Sequence, residues 1–162
     1  MLFLVAAAVS AAGGAAPVVL VDSTGEIAAR PLIDTIVLVT DKSSGVVAPA
    51  VIRPIYGSDG RTASGLAAWQ SGGSVLFTSP DCTTGAHVYS TANAGLRAAA
   101  QVQTREGIVL YVGAVGTTTT AAVRSILYDN GCSPVTVLQN GLVPVDVTVN
   151  LTARYPPPLS FE

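Results

Sequence analysis

Charged residues are scarce in this sequence. Of its 162 residues, only 11% are Asp, Glu, Lys or Arg, against roughly 25% in ordinary globular proteins. Lys42 is the single lysine, and eight basic residues are offset by ten acidic ones, for a formal net charge of −2. No basic stripe exists that could follow a phosphate backbone, so the composition argues against a nucleic-acid partner.

Side chains that bind metals or perform catalysis are also few. Two cysteines and one histidine are fewer ligands than a zinc site requires. His87 is the sole candidate base for a Ser-His-Asp arrangement, and no Gly-x-Ser-x-Gly elbow surrounds any serine. The chain also lacks a glycine-rich phosphate loop. The sequence therefore predicts no cofactor, no metal ligand and no catalytic residue.

An uncharged segment opens the chain. Residues 1–21 contain no charged side chain, and the apolar run Leu2 to Val9 is followed by small residues from Ser10 to Ala16. This division is typical of a signal peptide, so we expect residues 1–16 to be a leader, with its cut site left open. A retained membrane anchor and an ordinary buried segment are the alternatives. Cleavage would leave no stable membrane span and a protein that is secreted, periplasmic or at the cell surface.

Both cysteines lie in turn-like sequence. Cys82 stands in SPDCTTG and Cys132 in DNGCSP. Export would place them in an oxidising compartment, where a Cys82–Cys132 disulfide is expected. The alternative is two free, buried thiols in a cytosolic protein.

The strongest local pattern is LVPVDVTVNL, residues 142–151, in which apolar and other residues alternate. A period of two predicts a strand with one buried face. Asn140-Gly141 precedes it and favours a tight hairpin with the strand 135–139. Pro144 lacks an amide donor, which predicts a sheet edge or a bulge at that position.

Similar apolar runs recur between turns of the Asp-x-x-Gly kind, and together they predict about nine short strands. We expect an all-β fold, an antiparallel sandwich or barrel with hairpin turns, in a single domain at 17–155. Residues 156–162 are predicted to be a proline-rich, extended tail. Ile108 to Val112 is apolar on both faces and predicts a central strand. Residues 91–103 fit a strand better than a helix, and residues 64–71 fit a helical turn or a loop.

Aromatic residues supply the candidate ligand-binding side chains. Trp69, Tyr56 and Tyr89 are the candidates for stacking against sugar rings, which requires the tryptophan and two tyrosines to be exposed on one surface. The structural alternative is that these aromatics are core or cross-strand partners.

The segments LFTSPDCTTGAHVY, VVLVDSTGEI and VPVDVTVNLTARYPPPLSF cover about a third of the chain. They resemble an uncharacterised set of exported bacterial β-domain proteins, some attached to collagen-like or fibre-like chains. The resemblance implies export, a β fold and surface exposure, and it brings no active site. This chain differs in having no Gly-X-Y tract and two threonines between Cys82 and Gly85.

These observations favour a non-enzymatic, exported structural or interaction module of a bacterial envelope or extracellular assembly. Its partner would be a protein or glycan at the cell surface. The alternatives are a carbohydrate-binding domain and a secreted hydrolase. The hydrolase hypothesis requires His87 within hydrogen-bond reach of both a serine and a carboxylate.

The protein purified from its native host is predicted to lack the N-terminal leader, because the apolar run ends in small residues suited to signal peptidase. Intact-mass measurement of the soluble fraction checks this. Recovery of a soluble species that retains Met1 would contradict it.

Overall fold

A computed structural model describes residues 18–33, 35–61, 63–90, 95–129 and 131–162. The predicted leader, and residues 91–94 of the stretch 91–103, lie outside the described residues. The all-β prediction is confirmed, and the elements are β1 (Leu20–Val21), β2 (Ile27–Ile33), β3 (Ile36–Thr40), β4 (Val47–Tyr56), β5 (Ala63–Trp69), β6 (Val75–Phe77), β7 (Ala86–Tyr89), β8 (Ala99–Thr104), β9 (Gly107–Gly113), β10 (Thr119–Tyr128), β11 (Gly131–Asn150), α1 (Leu151–Arg154) and β12 (Leu159–Phe161).

The first five strands and the last one form a closed antiparallel barrel in the order β1, β12, β5, β4, β3, β2. A six-stranded barrel is narrow, so few large side chains fit inside it. Small residues therefore alternate with larger ones in its core, which contains Ala29, Ala48, Ala50 and Ala67 beside Leu20, Trp69 and Leu159.

The C-terminal segment completes this barrel. β12 pairs with β1 through Leu20 and Phe161, and with β5 through Leu159 and Ala67. Leu159 is fully buried. Leu159–Phe161 thus form a barrel strand, so the segment 156–162 is not the extended tail that the sequence analysis predicted. Three residues of alternation after a run of prolines are too short a pattern to predict a strand.

The second sheet has the order β10, β6, β7, β11, β9, β8, and β10 also pairs with β11. β9 lies between β11 and β8. Its residues Ile108, Leu110 and Val112 join the core cluster of the barrel, while Tyr111 packs against a cluster within the second sheet. The predicted central position of this strand is confirmed, but only one face is fully buried, since Val109 and Tyr111 on the other face are half-buried.

β11 changes partners along its length. It pairs with β10 up to Leu142, with β7 through Pro144, and with β9 from Val145 onward. The predicted hairpin at Asn140-Gly141 is wrong, because both residues lie inside this continuous strand. Thr119 pairs with Leu142 and Ala121 with Gln139, so two residues oppose one. Gly141 has φ +73°, and the dipeptide forms a β-bulge.

Other local predictions differ from the structure in part. Residues 64–71 were expected to be a helical turn or a loop, yet residues 63–69 form a barrel strand. Strand β2 was not predicted, since Arg30-Pro31 interrupts its alternation. The strand prediction for residues 91–103 is confirmed for residues 99–103, which belong to β8. Leu151, predicted to end a strand, instead starts a helical turn, because the Asn150 side chain accepts the amide hydrogen of Ala153.

Leu159→Ala is predicted to destabilise the protein by about 2–5 kcal/mol, because it removes a buried side chain from the strand that closes the barrel. Val115→Ala is the control: Val115 is 85% exposed, and such surface changes cost less than about 0.5 kcal/mol. Denaturant unfolding of both variants measures the difference. Equal stabilities would show that β12 is not needed for barrel closure.

Candidate functional sites

The predicted disulfide is confirmed. Cys82 and Cys132 are bonded, with their Cα atoms 5.9 Å apart, a spacing typical of disulfides. The backbone amide of Cys82 donates to the buried Ser125 hydroxyl at 3.0 Å, and that hydroxyl donates to the Ser79 carbonyl at 2.6 Å. The disulfide therefore joins the loop after β6 to the start of β11, and Ser125 holds that loop in place through its two hydrogen bonds.

A groove of about 1190 Å³ lies beside this bridge and includes both cysteines, Glu106, Tyr111 and Asp129. Burial, together with the nearby Glu106 carboxylate, raises the pKa of the Tyr111 phenol. The Asp129 carboxylate accepts hydrogen bonds from the backbone amide of Gln103 at 2.9 Å and from the Ser71 hydroxyl at 2.6 Å. Asp129 thus ties two distant segments together, where the sequence predicted only a local turn.

The other turn aspartates bond locally, as the Asp-x-x-Gly pattern predicts. Hydrogen bonds from Ser43 and Ser44 lower the pKa of Asp41 to about 2. Burial by itself would raise the pKa of Asp22, but hydrogen bonds from Thr24 and Glu26 outweigh it and lower that pKa. Within the described part of the chain, no group of three or more His, Cys, Asp or Glu side chains is arranged to hold a metal ion.

One end of the barrel is charged and closed by the chain itself. The Glu26 carboxylate accepts hydrogen bonds from Lys42 at 2.7 Å and from Arg154 at 2.9 Å. These bonds lower the pKa of Glu26, and the bond from Lys42 has the larger effect. Buried Tyr155 fills this end and donates from its hydroxyl to the Thr40 carbonyl at 3.1 Å. The two barrel ends are therefore chemically different.

Exposed apolar residues lie at the opposite end of the barrel, together with the turn 57–61 that carries Asp59 and Arg61. There β1, β3 and β5 begin and β2, β4 and β12 end, as their antiparallel registers require. We call this rim the apolar mouth; it consists of Val18, Ile33, Tyr56 and Phe161, which are 56, 60, 53 and 46% exposed. The uncharged N-terminal segment joins the described chain at Val18. Exposed apolar residues that share one end of a barrel form a candidate interaction surface.

The three predicted stacking aromatics do not share a surface. Trp69 is only 4% exposed, and its indole N–H donates to the Tyr155 carbonyl at 2.9 Å. Its assignment as a sugar-stacking residue is therefore corrected to a core residue. Tyr56 lies at the apolar mouth, and Tyr89 lies in a separate groove with Tyr128. No local pattern predicts that Tyr89 lies near Tyr128, since strand β6 between them is too short for its register to be predicted.

His87 lies on β7 opposite Leu76 and Pro144. Its Nδ1 is 2.8 Å from the Gly85 carbonyl oxygen. Neither a serine nor a carboxylate is hydrogen-bonded to this ring among the residues that the structure describes. The arrangement that the hydrolase hypothesis requires is not formed there.

The fold defines a disulfide-linked, all-β protein in which a six-stranded barrel adjoins a second antiparallel sheet. Comparison with family models, with curated proteins and with solved structures found no significant match to this chain. Across the described ranges, no helix combines the length and the apolarity needed to cross a bilayer.

Cys82→Ser and Cys132→Ser are predicted to lower the free energy of unfolding by similar amounts, about 4 kcal/mol in the chain-entropy account of a loop closed by this bridge. The double variant should cost little more than either single one, since each change already breaks the same bond. Denaturant unfolding under non-reducing conditions provides the three values. Clearly additive losses would mean that the two cysteines stabilise the fold independently of one another.

Proposed function

We propose that this protein is an exported, non-enzymatic interaction module of a bacterial envelope or extracellular assembly. The observation that carries the proposal is the apolar mouth. Ile33, Tyr56 and Phe161 share one barrel end and are 46–60% exposed, so a partner that covered them would gain the free energy of apolar burial.

The disulfide supports the exported part of the proposal. Stable disulfides are found mainly in proteins of oxidising compartments, and thiols in the cytosol are kept reduced. Both turns that carry Cys82 and Cys132 are solvent-accessible, and the Cys132 residue itself is exposed. A bridge at such a place persists where reductants are scarce. The resemblance to exported bacterial β-domain proteins agrees with the same compartment.

The mouth fits a protein partner better than a small molecule. Its apolar side chains project from the ends of separate strands around the rim, so they present a surface wider than one side chain. The flanking barrel wall carries exposed Arg30 and Arg53, which is the polar surround that protein interfaces place around an apolar centre.

Ile33→Gln and Phe161→Gln test the proposal. Each replaces an exposed apolar side chain with an uncharged polar one, and together they should weaken partner binding by about tenfold or more. The measurement is the fraction of the native exported protein that stays with its envelope or extracellular assembly after mild extraction. Val115→Gln, on a loop of the second sheet, is the matched control and should remain bound like the wild type.

Sedimentation of the purified protein identifies the kind of partner. Self-association that the mouth variants abolish would make the partner a second copy of this chain. Retention of Ile33→Gln and Phe161→Gln at the level of Val115→Gln would refute the interaction role of the mouth. Native protein found in the cytosol with alkylatable thiols would refute export.

A further inference from the structure

A second surface lies between the barrel and the second sheet. This groove, which we call the tyrosine groove, has a volume of about 710 Å³ and contains Tyr89, Tyr128, Ser74, Gln70 and Ser71 along its sheet side. The volume is in the range of small-molecule sites, about 300–1,000 Å³. It is separate from the residues of the apolar mouth.

The two tyrosines lie in one cross-strand row. Leu127 pairs with Val75, the first residue of β6, and extending this register by one residue places Tyr128 level with Ser74. His87 pairs with Leu76, so Tyr89 falls level with Ser74 on the other side. Residues that lie level with one another on adjacent strands share a face of the sheet. Tyr89 and Tyr128 are separated by two strand spacings, about 10 Å. The row therefore presents two rings with a hydroxyl between them.

The polar groups of this row are available to a ligand. Tyr89 and Tyr128 are 47 and 40% exposed, and no hydrogen bond of the hydroxyls of Tyr89, Ser74 or Tyr128 is formed within the part of the chain that the structure describes. Every residue lining the groove is uncharged, so a charged ligand would lose its hydration without gaining a charged partner in the lining.

The wall of the groove is fixed before any ligand arrives. Gln101 is 5% exposed and bridges the two halves of the protein: its side-chain oxygen accepts the Val51 amide hydrogen, and its side-chain nitrogen donates to the Val51 carbonyl at 3.1 Å. The backbone carbonyl of Gln101 also accepts the amides of Gly72 and Gly73. Because hydrogen bonds hold Gln101 to both neighbouring segments, this wall loses little conformational entropy when a ligand binds.

We propose that the tyrosine groove binds a neutral, unbranched oligosaccharide. A pyranose ring offers an apolar face of C–H groups that stacks on an aromatic ring, and a rim of hydroxyls that pair with Tyr, Ser and Gln side chains. Tyr89 and Tyr128 supply the two stacking faces, and Ser74 and Gln70 supply the hydrogen bonds between and beside them. This rests on the proposed function, since a glycan partner requires a protein exposed outside the cytoplasm.

A proline-rich peptide is the other ligand class that uses aromatic grooves. The uncharged hydroxyl row favours the sugar, because sugar hydroxyls both donate to and accept from Ser74 and the two phenols, whereas a polyproline chain offers them carbonyl acceptors only. A proline-rich peptide is therefore the competing probe in the test.

The test is calorimetric titration of the complete, disulfide-bonded mature protein with tetrasaccharides of glucose, N-acetylglucosamine, xylose, mannose and galactose, and with a proline-rich decapeptide. At least one tetrasaccharide should bind. Tyr89→Ala and Tyr128→Ala should each weaken that binding by about tenfold. Tyr89→Phe and Tyr128→Phe keep the stacking ring and should retain most of the affinity. Thermal unfolding confirms that each variant is folded.

Tyr56→Ala is the matched control, because it removes an equally exposed tyrosine that lies outside the groove, and its affinity should equal that of the wild type. Failure of every tetrasaccharide to bind, binding of the decapeptide instead, or equal affinities of Tyr89→Ala and Tyr56→Ala would overturn the proposal. Ile33→Gln should bind the sugar normally. Failure at the groove therefore leaves the result at the apolar mouth unaffected, and the two proposals are separable.

Discussion

Closure of the barrel by the C-terminal strand is the constraint on which the rest of the structure depends. β1 has only two residues, and β12 holds it by pairing with it on one edge and with β5 on the other. Tyr155 fixes the approach of β12, because its carbonyl accepts from Trp69 and its hydroxyl donates to Thr40. The same residue fills one barrel end. β1 and β12 pair side by side through Leu20 and Phe161, so both strands belong to the closed barrel.

This closure gives the barrel two unlike ends. The filled end carries the Glu26, Lys42 and Arg154 ion pairs, which are exposed to solvent and contribute little stability individually. No equivalent plug covers the apolar mouth in the described residues, so its side chains remain in contact with water. One end is thus filled by the chain itself, and the other is the end to which the proposed function assigns a partner.

Two kinds of contact attach the second sheet to the barrel. One face of β9 enters the barrel core through Leu110 and Val112, which provides apolar contact. Gln101 adds a directional contact, since its amide can pair with both polar groups of Val51 in only one relative placement of the two halves. The tyrosine groove lies at this junction. A ligand bound there would contact both halves, so the rigidity of the junction sets the geometry of the site.

The sequence by itself determined the strand character of most segments, the local role of Asp22 and Asp41, and the disulfide. Each follows from a pattern within a few residues or from the pairing of the only two cysteines. Tertiary structure alone decided the burial of Trp69, the row of Tyr89 and Tyr128, and the role of Asn140-Gly141. A positive φ at Gly141 suits a hairpin and a bulge equally well. β11 continues straight through it because β7 and β9 offer hydrogen-bonding partners beyond the bulge, and those partners are distant in the sequence.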